Sequence, residues 1–305
     1  MTRRETNGEN GPFYKLLTHS MLLGAAFFWG LNPMVMKLGM RKLAPLPFNT
    51  LRLLIGALLI LPILIIKKKM QPIKKRDVPL FLLVAVFGFF VFQFFYSLGV
   101  NATSASVSAI ILGILPIVVA LITWIGRLES LNSLKVAGII ASVVGVVMIA
   151  LGDGGGAKLE QTYLWGVGLL VISEIGYGLY TVFLRPLTQR YSIYQIIFVV
   201  MCISLVLFAT FTLPRYGTAV FSDLSLTTYL SALFSGFFAL LLGNALWSAG
   251  IKRIGSTNAS VYGNLTPVFG VLAGIIVLDE HLSLWQLVGA AVILLGVSLV
   301  NRRAR

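Results

Sequence analysis

The sequence predicts an all-α polytopic membrane protein: ten transmembrane helices arranged as two inverted five-helix repeats. Three observations carry that expectation. Of the 305 residues, 58% are hydrophobic and only 11% charged, whereas a soluble domain carries about a quarter charged residues. The apolar residues gather into ten stretches, each close to the roughly 20 residues needed to cross a bilayer. The second half of the chain also repeats landmarks of the first at a nearly constant displacement.

In chain order the expected spans are 20–39, 47–66, 79–100, 104–126, 133–151, 164–185, 193–213, 228–250, 258–278 and 284–300. Residues 1–19 form a polar N-terminal tail, without the apolar core of a signal peptide. Spans one to five make a first repeat, 20–151, and spans six to ten a second, 164–300; residues 152–163 link them and 301–305 form a basic tail. The linker contains GDGGG, Gly152 to Gly156, which lacks the Lys-Ser/Thr ending of a phosphate loop and reads as a flexible connection.

Net charge is +14. The basic residues come in short bursts between apolar runs, not as a stripe with interleaved aromatics, so nucleic acid is not an expected partner. With the N-terminus in the cytoplasm, Arg3, Arg4, Lys15, the KKKMQPIKKR loop, Arg127, Lys135, Arg185, Arg190, Lys252, Arg253 and the RRAR tail fall inside. Only Lys37, Arg41, Lys42, Arg52, Lys158 and Arg215 fall outside. This asymmetry predicts both termini in the cytoplasm, in a cell membrane such as the bacterial inner membrane. The single cysteine, Cys202, allows no internal disulfide, and His19 and His281 stand far apart with no metal-ligand spacing. No metal or cofactor is expected.

A displacement of 151 residues lays Gly250 on Gly99, Pro267 on Pro116, Glu280 on Glu129, Gly289 on Gly138 and Gly296 on Gly145. It also lays Asn244, Trp247 and Ser248 on Gln93, Tyr96 and Ser97. Upstream the displacement becomes 148, and Tyr177-Gly178 and Arg185 fall on Trp29-Gly30 and Lys37. Five spans per repeat is an odd number, so the second copy enters the membrane from the opposite side. Inverted repeats of this kind are a transporter architecture, with the substrate site at the repeat interface near the midplane.

Four motifs carry a family resemblance: WGLNPMVMK (Trp29 to Lys37), LRLLIGALL (Leu51 to Leu59), RLESLNSLKVAGIIASVVGVV (Arg127 to Val147) and LDEHLSLWQLVGAAVILLGV (Leu278 to Val297). With these the chain resembles the EamA-like family of the drug/metabolite transporter superfamily over nearly its whole length. The resemblance implies ten helices around a central cavity lined by helices one, three, four, six, eight and nine, with five and ten at the periphery. It implies a substrate drawn from amino acids, other metabolites, nucleotide sugars or cationic drugs. Two residues depart from the family's pattern: Tyr177 stands where tryptophan is common, and Glu174 is not a general family residue.

Candidate substrate contacts follow from helical spacing. Tyr177, Gly178, Thr181 and Arg185 come 3, 4, 7 and 11 positions after Glu174, so all return to one face. A polar stripe on an apolar span points into the protein or a cavity, since lipid cannot satisfy it. A charged carboxylate at mid-span costs about 2.5–3.5 kcal/mol, so Glu174 is expected to take up a proton or pair with a cationic group. A structural alternative is a protonated Glu174 hydrogen-bonded between two helices. Gln93 and Tyr96 on helix three, and Asn244 and Trp247 on helix eight, form matched amide–aromatic pairs that serve either the substrate or helix packing. Trp29 and Asn32 precede Pro33, and Tyr262 and Asn264 precede Pro267, combining binding groups with helix breaks. Lys37, Arg52 and Arg185 lie toward span ends, and Arg52 is expected to snorkel to the interface. Glu129 and Glu280, beside loop turns, are expected to cap or gate helices.

The expected function is secondary transport of a small metabolite such as an amino acid, outward, by alternating access, either as proton antiport through Glu174 or as facilitated exchange. The other transport reading is export of cationic or hydrophobic amine drugs. Besides the substrate, the partners are protons and membrane lipid, with monomer and homodimer both open. An intramembrane enzyme would need an HExxH pattern or a Ser-His pair in the spans, and neither occurs. A passive channel would need a ring of like charges or a carbonyl filter, and neither is visible.

Overall fold

The computed structural model describes residues 12–67, 69–128, 130–152, 161–254 and 262–301, with no strand among them. The helices are α1 (Pro12–Gly39), α2 (Pro45–Ile66), α3 (Lys75–Ala102), α4 (Ala105–Ile125) and α5 (Ser133–Leu151). Then come α6 (Gln161–Thr188), α7 (Ile193–Tyr216), α8 (Leu226–Gly250, running on to Ile254), α9 (Leu265–Leu278) and α10 (Leu284–Asn301). Among the described residues nine of them are long and apolar enough to cross a membrane, and α9 is a shorter apolar tenth. The protein is an all-α multi-pass membrane protein. Its outer surface is aliphatic, with Ile66 80%, Ile276 74% and Leu284 76% exposed; in water such a surface would aggregate, and in lipid it is solvated.

Several helices start where a side chain satisfies free backbone N–H groups. Ser104, Asn132, Ser192 and Ser225 each accept from the backbone three residues on. Five starts precede the expected spans: α1 begins at Pro12, not residue 20, α2 at Pro45, not 47, α3 at Lys75, not 79, α6 at Gln161, not 164, and α8 at Leu226, not 228. Helices continue past the hydrocarbon into the polar interface, which an apolar window does not detect. The expected start at residue 258 lies outside the described residues.

Prolines break fewer helices than expected. Pro33 sits inside an unbroken α1, whereas α4 is interrupted at Gly113–Ile114, ahead of Pro116. Two π-helical segments interrupt α3 (Leu83–Phe90) and α8 (Ser235–Gly243). They fall on one another at the 151-residue displacement.

Helix α5 packs against α10 at two glycine pairs. A Cβ on Gly138 would stand 2.5 Å from the Gly296 carbonyl oxygen, and one on Gly145 2.6 Å from that of Gly289. Other contacts recur with the halves exchanged. Gly99 meets Leu170 as Gly250 meets Leu22, and Gly178 meets Val118 as Gly30 meets Phe269.

The two faces of the bundle are tied differently. At the face carrying the α2–α3 and α6–α7 connections, Asp77 accepts hydrogen bonds from Arg190 and from the Tyr191 hydroxyl. Gln195 there pairs with the Gln71 backbone, accepting from its N–H at 3.2 Å and donating to its carbonyl at 2.6 Å. At the opposite face Glu280, from the α9–α10 connection, accepts from the Ala105 and Ser106 amides at 2.7 and 2.8 Å. It caps α4, as its position beside a turn suggested; Glu129 lies outside the described residues. Lys37 adds a bond to the Asn101 carbonyl at 3.3 Å.

Candidate functional site

A cavity of about 800 Å³ lies between the helices, within the range of about 300–1,000 Å³ typical of small-molecule sites. Its wide end is bordered by Ser130, Asn132 and Lys135 of the α4–α5 region and by Asn301 at the end of α10. Its deep end stops at Asn32, Arg52 and Tyr96. Among the described residues, none of those lining it comes from the α1–α2 or α9–α10 connection, at the face that Glu280 ties.

Helix α6 supplies Glu174, Tyr177 and Thr181 to the lining. Glu174 is 1% exposed, and neither carboxylate oxygen has a hydrogen-bond partner among the described residues. The alternative of a glutamate hydrogen-bonded between helices therefore finds no partner here. Tyr177 stacks on Phe92 of α3 with centroids 4.6 Å apart, and the Thr181 hydroxyl donates to the Tyr177 carbonyl. The rest of the predicted stripe points elsewhere: Gly178 packs against Val118 of α4, and Arg185 is exposed.

The amide–aromatic pairs serve both roles. Gln93, Tyr96, Asn244 and Trp247 all line the cavity. Trp247 leans on Trp29 at 5.2 Å between centroids. Trp29 Nε1 donates to the Ala239 carbonyl at 3.0 Å, and Asn244 Nδ2 to that of Leu240 at 2.8 Å. Both acceptors lie in the π-helical segment of α8, where the altered register leaves carbonyls to be met by side chains. Asn32 donates to Met36 Sδ and to the Tyr96 hydroxyl, at 3.4 and 3.5 Å, and not to a carbonyl freed by Pro33. Asn264 lines the cavity at the start of α9. Tyr262 is not among the lining residues, and its hydroxyl meets His19 Nδ1.

Arg52 overturns the expectation of snorkelling. It is 1% exposed and lines the deep end of the cavity. Its Nη1 donates to Ser235 Oγ at 2.9 Å and to Met36 Sδ at 2.7 Å, and its Nη2 to Gln93 Oε1 at 2.6 Å. Ser235 in turn donates to Asn32 Oδ1. The residue stands seven positions into α2, about 10 Å along the helix, which is too deep for the head to return to water. Helix α2 thus joins the cavity wall, as do the ends of α5 and α10, none of which the family resemblance implied. The signal available in the sequence was Gly56, one turn after Arg52. A Cβ on Gly56 would come 3.3 Å from the Gly236 carbonyl oxygen, so this face of α2 is pressed against α8.

The model of the EamA-like transporter family matches the chain twice, over residues 16–151 and 164–302. The chain belongs to the EamA-like transporter family. Curated relatives agree: an uncharacterized transporter of Archaeoglobus fulgidus is 30% identical over 90% of this chain and 95% of its own. The uncharacterized transporter YvbV of Bacillus subtilis is 27% identical over 95% and 93%. A WAT1-related chloroplastic protein of Arabidopsis thaliana is 25% identical over 97% of this chain and 71% of its own length. A crystal structure with 15% identity superposes with a TM-score of 0.64, covering 93% of this chain and 96% of that one, and shares the fold. This EamA-like chain is a transporter of a small-molecule substrate and not an enzyme.

Proposed function

We propose that the protein is a secondary transporter that exports a small metabolite such as an amino acid by alternating access, coupled to protons through Glu174. The observation that carries this reading is the buried carboxyl of Glu174, without a hydrogen-bond partner among the described residues, in the wall of a cavity whose described lining reaches one face only. A carboxyl at mid-span can be met by a proton or by a substrate cation. Proton and substrate then compete for one group, which is the basis of antiport. Tyr96 and Tyr177 flank this acid, and Arg52 and Lys135 line the same cavity.

The exchanged contacts support the reading of the halves as inverted repeats, with two-state opening about their interface. The excess of Lys and Arg supports an orientation with both termini in the cytoplasm of the cell membrane. In that orientation the wide end of the cavity opens inward, where a solute bound for export would enter.

Counterflow in proteoliposomes tests the proposal. An acidic outer compartment is expected to accelerate efflux in the native protein, and substrate affinity is expected to fall as pH drops. Glu174→Gln should fold, bind, and lose both responses. A Glu174→Gln protein with unchanged, gradient-stimulated transport would remove the proton role.

A further inference from the structure

Arg52 has no carboxylate partner among the described residues. Its three hydrogen-bond acceptors, Ser235, Gln93 and Met36, are all neutral. Its Nε–H and the Gln93 Nε2 amide are both buried without partners among those residues. Buried charges are ordinarily paired, since desolvation is recovered only through an opposite charge and full hydrogen bonding. Ser235 and Gln93 hold the guanidinium at the cavity wall, and the missing element is an anion.

We infer that Arg52 is the docking point for a carboxylate of the substrate, and that the transported compound is a zwitterion whose ammonium faces Glu174. This rests on the cavity being the transport site. Helices α3 and α6 cross antiparallel, with Gly176 against Phe92 and Gly99 against Leu170. That register places Glu174 within a turn of Gln93, the residue that holds Arg52. The acid and the cation thus lie at one depth, on helices flanking α3. Phe92, Tyr177, Trp29 and Trp247 leave an apolar wall for a side chain. A phosphate would call for a second converging cation, and Lys135, the other basic lining residue, stands at the wide end. A cationic amine without an acid group would leave Arg52 unpaired and add a like charge beside it.

The test uses the full chain in nanodiscs and four probes. These are L-leucine, L-phenylalanine, L-phenylalaninamide (no carboxylate) and 3-phenylpropanoate (no ammonium). The native protein is expected to bind L-phenylalanine about a hundredfold more tightly than its amide, the scale of a lost buried charge pair. Arg52→Gln should weaken L-phenylalanine by a similar factor while leaving the amide within about twofold, and Arg52→Lys should restore part of the preference. Equal binding of acid and amide by the native protein overturns the inference without any variant. So does an Arg52→Gln protein that loses both alike, and so does a native protein that binds neither amino acid. Counterflow on the same samples separates the two readings. Binding with the carboxylate preference but no counterflow sinks the transport reading alone. Counterflow that carries amines as readily as amino acids sinks the Arg52 inference alone.

Discussion

At the scale of single residues, helical spacing located part of the cavity wall: Gly178 and Arg185 share the spacing of Glu174 but point elsewhere. Glu174, Tyr177 and Thr181 share a stripe by periodicity, and the stripe does reach the cavity. Arg52 was misread because its direction depends on how α2 is rotated against α3 and α8, which no single-helix pattern contains. The contact of Tyr262 with His19 could not be read for a similar reason, since the two are 243 residues apart in the chain. Gln195 offers a test of polar groups that serve structure only. It is 1% exposed and makes two hydrogen bonds to the Gln71 backbone. Gln195→Ala should cost about 1–3 kcal/mol, given about 1 kcal/mol per bond and a stranded backbone group. Thermal denaturation in detergent reads that loss, and ligand affinity should stay unchanged.

Helices were the most legible level, because a 20-residue apolar run admits few other structures in lipid. Their irregularities were not. A π-helical segment depends on a partner for the carbonyls it releases, and Trp29 reaches Ala239 across 210 residues. Trp29→Phe keeps the ring and removes that bond, so it should lower stability by about 1 kcal/mol and loosen the α8 segment, seen as faster amide exchange at Ala239 to Gly243. The α5–α10 seam was partly legible, since Gly138, Gly145, Gly289 and Gly296 recur at one displacement. The structure adds that each is faced by another's carbonyl oxygen. Gly145→Leu should force the helices apart and abolish folded protein on size exclusion, whereas Val143→Leu, on the exposed side of α5, should leave it intact.

On the whole-molecule scale the proposed two-fold plan rests on landmarks in the sequence and on the exchanged contacts, and Glu280 ties one face to α4. The orientation can be checked with single cysteines placed in a Cys202→Ser background. Asn132→Cys, at the wide end of the cavity, should react with a membrane-impermeant maleimide from the cytoplasmic side only. His281→Cys, beside Glu280, should react from the outside only, and the reverse pattern would invert the topology. The exchanged contacts have one more consequence. If each contact of one half has its counterpart in the other, opening toward either side breaks and makes the same kinds of contact. A symmetric version of this chain would therefore spend equal time in its two end states. The resting bias is left to residues that have no counterpart, and these include Glu174, which falls on Ala26, and Arg52, which falls on Val200 or Ile203. A difference of about 1.4 kcal/mol between the two environments of such a charge is enough for a tenfold preference. On the proposed reading, the groups that hold the substrate are then also the groups that decide which way the empty carrier waits.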